Sequence, residues 1–225
     1  ALEMFAAAGA EETLEYADTH ANLGLLLRQT KRFDEAESQL KESLKLTVSA
    51  VGERHSHFAI RLSALGLLYC NMEQYPDAEE ALLKAKDITK LVLGDEHPAY
   101  ATRLNNLGAL YRDIQQYDKA LECYLETIRI DEATVGKEHP HFASTLANLA
   151  MLYAAMGNPE KALPLLDQAI GISELALGRN HPHTKHFKNN RDAVADRACS
   201  AEIWEAAWNC LAKHRIEAVQ TRLPT

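Results

Sequence analysis

This chain of 225 residues has few tryptophans, few cysteines, no long apolar run and fewer basic than acidic residues. Lys and Arg number 24 against 32 Asp and Glu, a net charge of -8. Such a balance argues against a general affinity for phosphate backbones or anionic lipid, so we expect neither nucleic acid nor a membrane as partner. No stretch is apolar for long enough to span a bilayer.

The four cysteines show neither a CxxC spacing nor a regular recurrence. We therefore expect free thiols in a reducing compartment, which favours a cytoplasmic location over a disulfide-bonded, secreted fold. A Gly-rich phosphate loop and an H-E-x-x-H motif are also missing. Because no nucleophile, base and orienting group converge in the pattern, the sequence predicts neither an enzyme nor a cofactor.

One glycine recurs every 42 residues, at Gly52, Gly94, Gly136 and Gly178. Similar segments surround the four glycines: VGERHSHFAIRLSALGLLYCN, LGDEHPAYATRLNNLGALYRD, VGKEHPHFASTLANLAMLYAA and LGRNHPHTKHFKNNRDAVADR. A fixed period of this size is typical of structural repeats stacked in one direction.

Each repeat carries the pattern of two helices. In the segment that follows Gly94, one face of an α-helix is marked by residues at i, i+3, i+4 and i+7: Leu104, Leu107, Gly108 and Tyr111. A short polar turn follows, then a second helix with a small residue and a large one four positions later. We expect the small and large positions of the paired helices to interdigitate. The small–large pairs are Ala36 and Leu40, Ala78 and Leu82, Ala120 and Tyr124, and Ala162 and Leu166.

The recurrent Gly-x-x-His-Pro segment separates consecutive repeats. The glycine suits a left-handed cap that ends a helix, and the proline suits the first turn of the next helix. The recurrent histidines stand one repeat apart, too far to share one zinc ion. We therefore predict a capping or packing role, and no metal site, for His55, His97, His139 and His181.

The motif LxxLGxLY, followed by Ala and then Leu or Tyr, resembles the tetratricopeptide repeat. The 42-residue length and the pattern LGxxHPxxAxxLNNLAxLY are similar to the kinesin light chain type of repeat. The resemblance implies an all-α, right-handed α-solenoid of stacked antiparallel helix pairs, with first helices on the concave wall. It also implies a protein-binding scaffold or adaptor.

A row of asparagines on the first helices is the candidate site. An asparagine offers one acceptor and two donors, which suit the N–H and C=O groups of an extended peptide. Alternatively, these asparagines hydrogen-bond within a helix pair as part of the fold. Neighbouring leucines and Met151 would form an apolar floor, and arginines would meet acidic side chains. The predicted groove residues are Asn22, Leu25, Arg28, Gln29, Leu67, Asn71, Asn105, Asn106, Arg112, Asn148, Met151 and Asn190.

Some relatives of this repeat type grip a C-terminal carboxylate. The corresponding positions here hold Ala21, Leu25, Ala64 and Thr102, so we predict an internal peptide segment, a linear motif, as the ligand.

The two ends differ from the middle. Residues 1–10 match the end of a second helix, as if from a truncated preceding repeat, and 11–183 form about four full repeats. In 184–225 we predict a degenerate repeat and a C-terminal capping helix, because Arg191 and Asp192 replace the leucine and glycine of the motif. Trp204 and Trp208 on that last helix leave open a second function, regulation or self-association by packing on another domain or a second copy.

Overall fold

The computed structural model describes residues 13–199, and that range contains only helices, turns and short loops. The predicted remnant at 1–10 and the predicted helix with Trp204 and Trp208 lie outside the described residues. Four helix pairs follow one another, and a ninth helix, α9, covers 182–199. The paired helices are α1 (Leu14–Gln29) and α2 (Phe33–Val51), α3 (Ser56–Asn71) and α4 (Tyr75–Leu93), α5 (Pro98–Asp113) and α6 (Tyr117–Thr134), and α7 (Pro140–Ala155) and α8 (Pro159–Leu177).

The helix pairs stack in chain order. The two helices of a pair pack along each other, and the second helix of each pair packs on the first helix of the next. First helices also touch: α1 contacts α3, α3 contacts α5, and α5 contacts α7. One core cluster joins Leu40 and Leu44 of α2 to Phe58 and Leu62 of α3. A core shared between consecutive helix pairs confirms the all-α solenoid that the period predicted.

Glycines in the first helices allow the two helices of a pair to approach closely. A Cβ on Gly66 would lie 2.8 Å from Leu82 Cγ, and a Cβ on Gly108 would lie 2.7 Å from Tyr124 Cε1. Tyr124 is completely buried. The predicted packing of small against large residues is therefore confirmed, and in these repeats the small position has no room for a methyl group.

The helix pairs are separated by the Gly-x-x-His-Pro segment. Gly94 has φ 91° and ψ 165°, and Gly52 and Gly178 have similar angles. The positive φ that we predicted is present, but the ψ belongs to an extended region open to glycine alone, so the predicted left-handed helical cap is wrong. The extended ψ has a physical reason: after the second helix ends, the chain must continue in an extended conformation to reach the first helix of the next pair. Pro98 and Pro140 then begin α5 and α7, as predicted.

The recurrent histidines are helix N-caps. His97 Nδ1 accepts a hydrogen bond from the backbone N–H of Ala99 at 3.0 Å. The equivalent bond is 3.2 Å at His55, 3.1 Å at His139 and 3.2 Å at His181. The predicted capping role is confirmed, since each imidazole satisfies one N–H of the first turn.

Candidate peptide-binding groove

The candidate groove is the surface formed by the first helices, and it passes between α5, α7 and α9. There it forms a cavity of about 480 Å³. Four predicted residues, Arg112, Asn148, Met151 and Asn190, come together in its wall. The cavity also contains side chains that the predicted set did not include: Asp113, Ala154, Ala155, His186 and Arg197.

Of the two arginines in this cavity, one has a carboxylate partner among residues 13–199 and the other has none. Arg112 donates to Asp113 Oδ1 from Nε at 3.1 Å and from Nη2 at 2.8 Å. Arg197 is exposed and has no hydrogen bond or ion pair to any of residues 13–199. One arginine in the cavity is therefore available to an acidic group, although the whole chain is acidic.

The asparagine row joins neighbouring repeats. Asn106 Nδ2 donates to Ser63 Oγ at 3.0 Å, and Asn148 Nδ2 donates to Asn105 Oδ1 at 3.1 Å. These bonds link α5 to α3 and α7 to α5. The two asparagines therefore hydrogen-bond within the fold, as the alternative predicted, but between neighbouring repeats and not between the two helices of one pair. The two side chains are half-buried. Each bond uses one N–H and leaves the amide oxygen and a second N–H for other partners.

The ends of the asparagine row are different. Asn22 on α1 is exposed, and Asn190 Nδ2 lies 3.2 Å from His186 Nε2 on its own helix, α9. Ala64 interrupts the row on α3. The predicted asparagines of the row therefore lie on α1, α5, α7 and α9, and their hydrogen-bond partners differ from one helix to the next.

The N-terminal half of the predicted set lies on α1 and α3, outside the cavity. Leu25 and Leu67 are half-buried, whereas Gln29 and Asn71 are exposed. Arg28 is half-buried, and desolvation lowers its pKa. Within residues 13–199 its guanidinium has no ion pair or hydrogen bond, so Arg28 is a second unpaired cation on the first helices of that range.

Two cysteines, Cys70 on α3 and Cys123 on α6, are poorly suited to act as nucleophiles. Burial raises the pKa of Cys70 to about 11, and the nearby Asp113 adds to this shift. Burial likewise raises the pKa of Cys123 to about 11. A nucleophilic cysteine requires a depressed pKa, so these two residues belong to the packing.

Polar groups where neighbouring repeats meet were missed by the sequence analysis. Arg61 Nη2 on α3 lies 2.5 Å from Asp18 Oδ1 on α1. Two repeats further along, Asp131 is fully buried. Its Oδ2 accepts from Thr145 Oγ1 at 3.1 Å and contacts His141 Nδ1 at 2.9 Å. A signal existed: Asp131 stands where other repeats have Thr47, Thr89 and Ser173.

Metal and membrane sites were searched over residues 13–199. In that range no three His, Cys, Asp or Glu side chains converge as ligands of an ion. No helix there combines the length and the apolar character needed to cross a bilayer.

Comparison with known proteins agrees with the fold. The tetratricopeptide repeat family models match residues 17–57, 58–133 and 142–183, more than half of the chain. No curated protein matches the sequence significantly.

Solved structures show similar folds at low identity. A kinesin light chain-like protein of Podospora anserina with nearly identical TPR-like repeats has a TM-score of 0.66 and 21% identity, over 94% of this chain and 99% of that one. BtubC (BKLC) from P. vanneervenii has a TM-score of 0.65 and 23% identity, over 100% of this chain and 94% of that one. Aspartyl phosphate phosphatase F from Bacillus subtilis has a TM-score of 0.67 and 14% identity, over 91% of this chain and 51% of that one.

Tetratricopeptide repeats generally mediate protein–protein interactions, and proteins of this fold are typically non-catalytic scaffolds. The family matches, the helix pairs and the 42-residue spacing agree with one another. The chain belongs to the tetratricopeptide repeat family, and its fold is similar to that of the kinesin light chain-like repeat protein.

Proposed function

We propose that this protein is a non-catalytic adaptor that binds an extended peptide segment in the groove of its first helices. The observation that carries the proposal is the cavity between α5, α7 and α9. It combines side-chain amides (Asn148 and Asn190), an apolar patch at Met151 and Arg197, whose guanidinium has no partner among residues 13–199. A few placed polar groups on an apolar wall are typical of a binding site.

The asparagines suit the backbone of a peptide ligand. An extended chain offers N–H and C=O groups at regular intervals, and most buried ones must be paired. Asn148 keeps its amide oxygen and one N–H after bonding to Asn105, so it can accept and donate. Because Asn105 fixes one end of that amide, it is pre-organised and loses little entropy on binding.

Charge favours a ligand with acidic side chains. Arg197 and Arg28 both lack partners within residues 13–199, and Arg112 shares Asp113. Arginine pairs well with carboxylates because its planar guanidinium can donate two parallel hydrogen bonds. The acidic remainder of the protein would repel such a ligand elsewhere, which directs it to the groove.

The test is selection of displayed random 16-residue peptides on the intact chain, followed by affinity measurement with the selected peptides. The groove variant is Asn148→Ala with Arg197→Ala. The matched control is Gln168→Ala with Arg179→Ala, which removes the same kinds of group from exposed positions outside the cavity.

We expect the groove variant to weaken binding by about tenfold or more, the cost of losing one amide and one charged contact. The control variant should bind like the parent. Selected peptides that bind both variants equally, or a failure to select any peptide, would contradict a peptide-binding groove.

A further inference from the structure

Arg61 is a buried arginine on α3 that forms an ion pair with a carboxylate on α1, the first helix of the preceding repeat. Only 2% of its side chain is exposed, and its Nη2 meets Asp18 Oδ1 from the preceding repeat. The Asp18 side chain is 55% exposed, so the carboxylate covers the guanidinium from the solvent side. The charge of Arg61 is therefore buried with a counter-ion supplied by the protein.

Arg103 occupies the equivalent position one repeat later, without that counter-ion. It lies 42 residues after Arg61, and Ile60 lies 42 residues after Asp18. Arg103 is 8% exposed, and its Nε is buried with no hydrogen-bond partner, as are Nε and Nη1 of Arg61; the two arginines differ in the counter-ion. Within residues 13–199 it forms neither a hydrogen bond nor an ion pair. Ile60, in the place of the carboxylate, is 50% exposed.

This arrangement is unfavourable in the free protein. A buried charge without a partner loses its hydration and gains nothing in return, and desolvation accordingly lowers the pKa of Arg103. The next repeat has the neutral Thr145 at this position, and its hydroxyl is bonded to Asp131. Places where a sequence breaks its own local rule are expected at functional sites.

The position is continuous with the proposed groove. Arg103 and Asn106 are three residues apart on α5, hence on neighbouring parts of one helix face. Asn106 bonds Ser63 of α3, so this part of α5 lies against the helix that carries Ile60. Arg112 of the cavity lies at the other end of α5.

We propose that Arg103 and Ile60 form a carboxylate-binding subsite, occupied by an Asp or Glu side chain of the bound peptide with an apolar residue beside it. The ligand carboxylate takes the place that Asp18 has over Arg61, and the apolar side chain packs on Ile60. The proposal rests on the peptide-binding function above, and it names one feature that the peptide must carry.

The experiment measures the Nε–H signal of Arg103 by ¹⁵N NMR during titration with capped heptapeptides. The probes are acetylated and amidated AALELAA, its glutamine counterpart AALQLAA, and AALQLAA with a free C-terminal carboxylate. The protein variants are Arg103→Met, which keeps the side chain's length without its charge, and Ile60→Asp, which restores the Asp18 arrangement. Arg54→Met, at an exposed arginine before α3, is the matched control.

We expect the glutamate peptide to shift the Arg103 signal and to bind roughly tenfold tighter than the capped glutamine peptide, the worth of one charged hydrogen-bonded pair. Arg103→Met and Ile60→Asp should both abolish that preference, the second because its own carboxylate fills the subsite. Arg54→Met should retain it. The free C-terminal carboxylate should not substitute for glutamate.

Two binding results would overturn the subsite: a glutamate preference that survives Arg103→Met, or a stronger response to the peptide with the free C-terminus. An Arg103 signal that does not move at about 10 mM peptide would also overturn it, because that concentration is well above a millimolar Kd. Peptide-induced shifts confined to α7 and α9 would reject the subsite and leave the proposed groove standing. The displayed-library selection judges the groove separately.

Discussion

Asn148 donates its side-chain N–H to Asn105 Oδ1 at 3.1 Å and so joins α7 to α5 along the wall of the groove. A hydrogen bond between half-buried side chains of this kind contributes about 0.5–1.5 kcal/mol net. The residue proposed to bind peptide therefore also helps to fix the angle between two repeats.

The first prediction concerns that bond. Asn148→Ala should lower the free energy of unfolding by about 1 kcal/mol, and Asn105→Ala by a similar amount. The double variant should lose less than the sum, with a coupling energy of about 0.5–1.5 kcal/mol in a double-mutant cycle by urea unfolding. Strict additivity would show that the two amides do not interact in solution.

The second prediction concerns the close helix approach at Gly108. Gly108→Ala should destabilise the protein by about 1–3 kcal/mol, because the new methyl group would lie 2.7 Å from the buried Tyr124 ring. Thermal unfolding followed by circular dichroism measures the loss. Gly171→Ala is the control, since a Cβ there meets nothing within 4 Å inside α8 and should stabilise by about 0.5–1 kcal/mol. Equal effects at the two glycines would contradict the packing.

The third prediction concerns the histidine caps. His97→Ala should cost about 1 kcal/mol of stability, because it removes the acceptor of the Ala99 N–H. His97→Asn should restore most of this, since a side-chain oxygen can accept the same bond. Chemical denaturation of the two variants measures the difference. If alanine and asparagine behaved alike, the imidazole would not be acting as a cap.

The fourth prediction concerns thiol reactivity. Cys70 and Cys123 have pKa values raised by burial from 9.0 to about 11, so less thiolate is present at any pH below that value. Alkylation by iodoacetamide at pH 8 should be at least about tenfold slower at these residues than in the urea-unfolded chain, and should accelerate up to about pH 11. Site-resolved mass spectrometry gives the rates. Fast labelling of the folded protein would contradict their burial.

Features set by local pattern were predictable from the sequence. The small and large residues of the second helices, such as Ala120 and Tyr124, recur at a fixed offset, so helix pairing followed from periodicity alone. The residue that Tyr124 packs against, Gly108, came from the structure. The cap at His97 followed from its place between a helix-ending glycine and a helix-starting proline. Each of these features depends on residues that are close in the chain, or on a motif that recurs in several repeats and is therefore recognisable even where one copy departs from it.

Features set by the stacking geometry were not predictable. Asn106 and Ser63 are 43 residues apart, and their contact depends on the angle between successive helix pairs. The extended ψ of Gly94 depends on the path the chain must take to the next pair. The unpaired state of Arg103 among residues 13–199 was not predictable either, because the counter-ion of Arg61, Asp18, is identified only by their contact in the structure.

The most direct test of the groove is backbone amide shift mapping with one selected library peptide. We predict that the perturbed amides lie on the first helices, with the largest shifts on α5, α7 and α9 around Asn148 and Arg197, and that Asn148→Ala with Arg197→Ala removes them. Shifts concentrated on α4, α6 and α8, with α5 and α7 unmoved, would contradict the account.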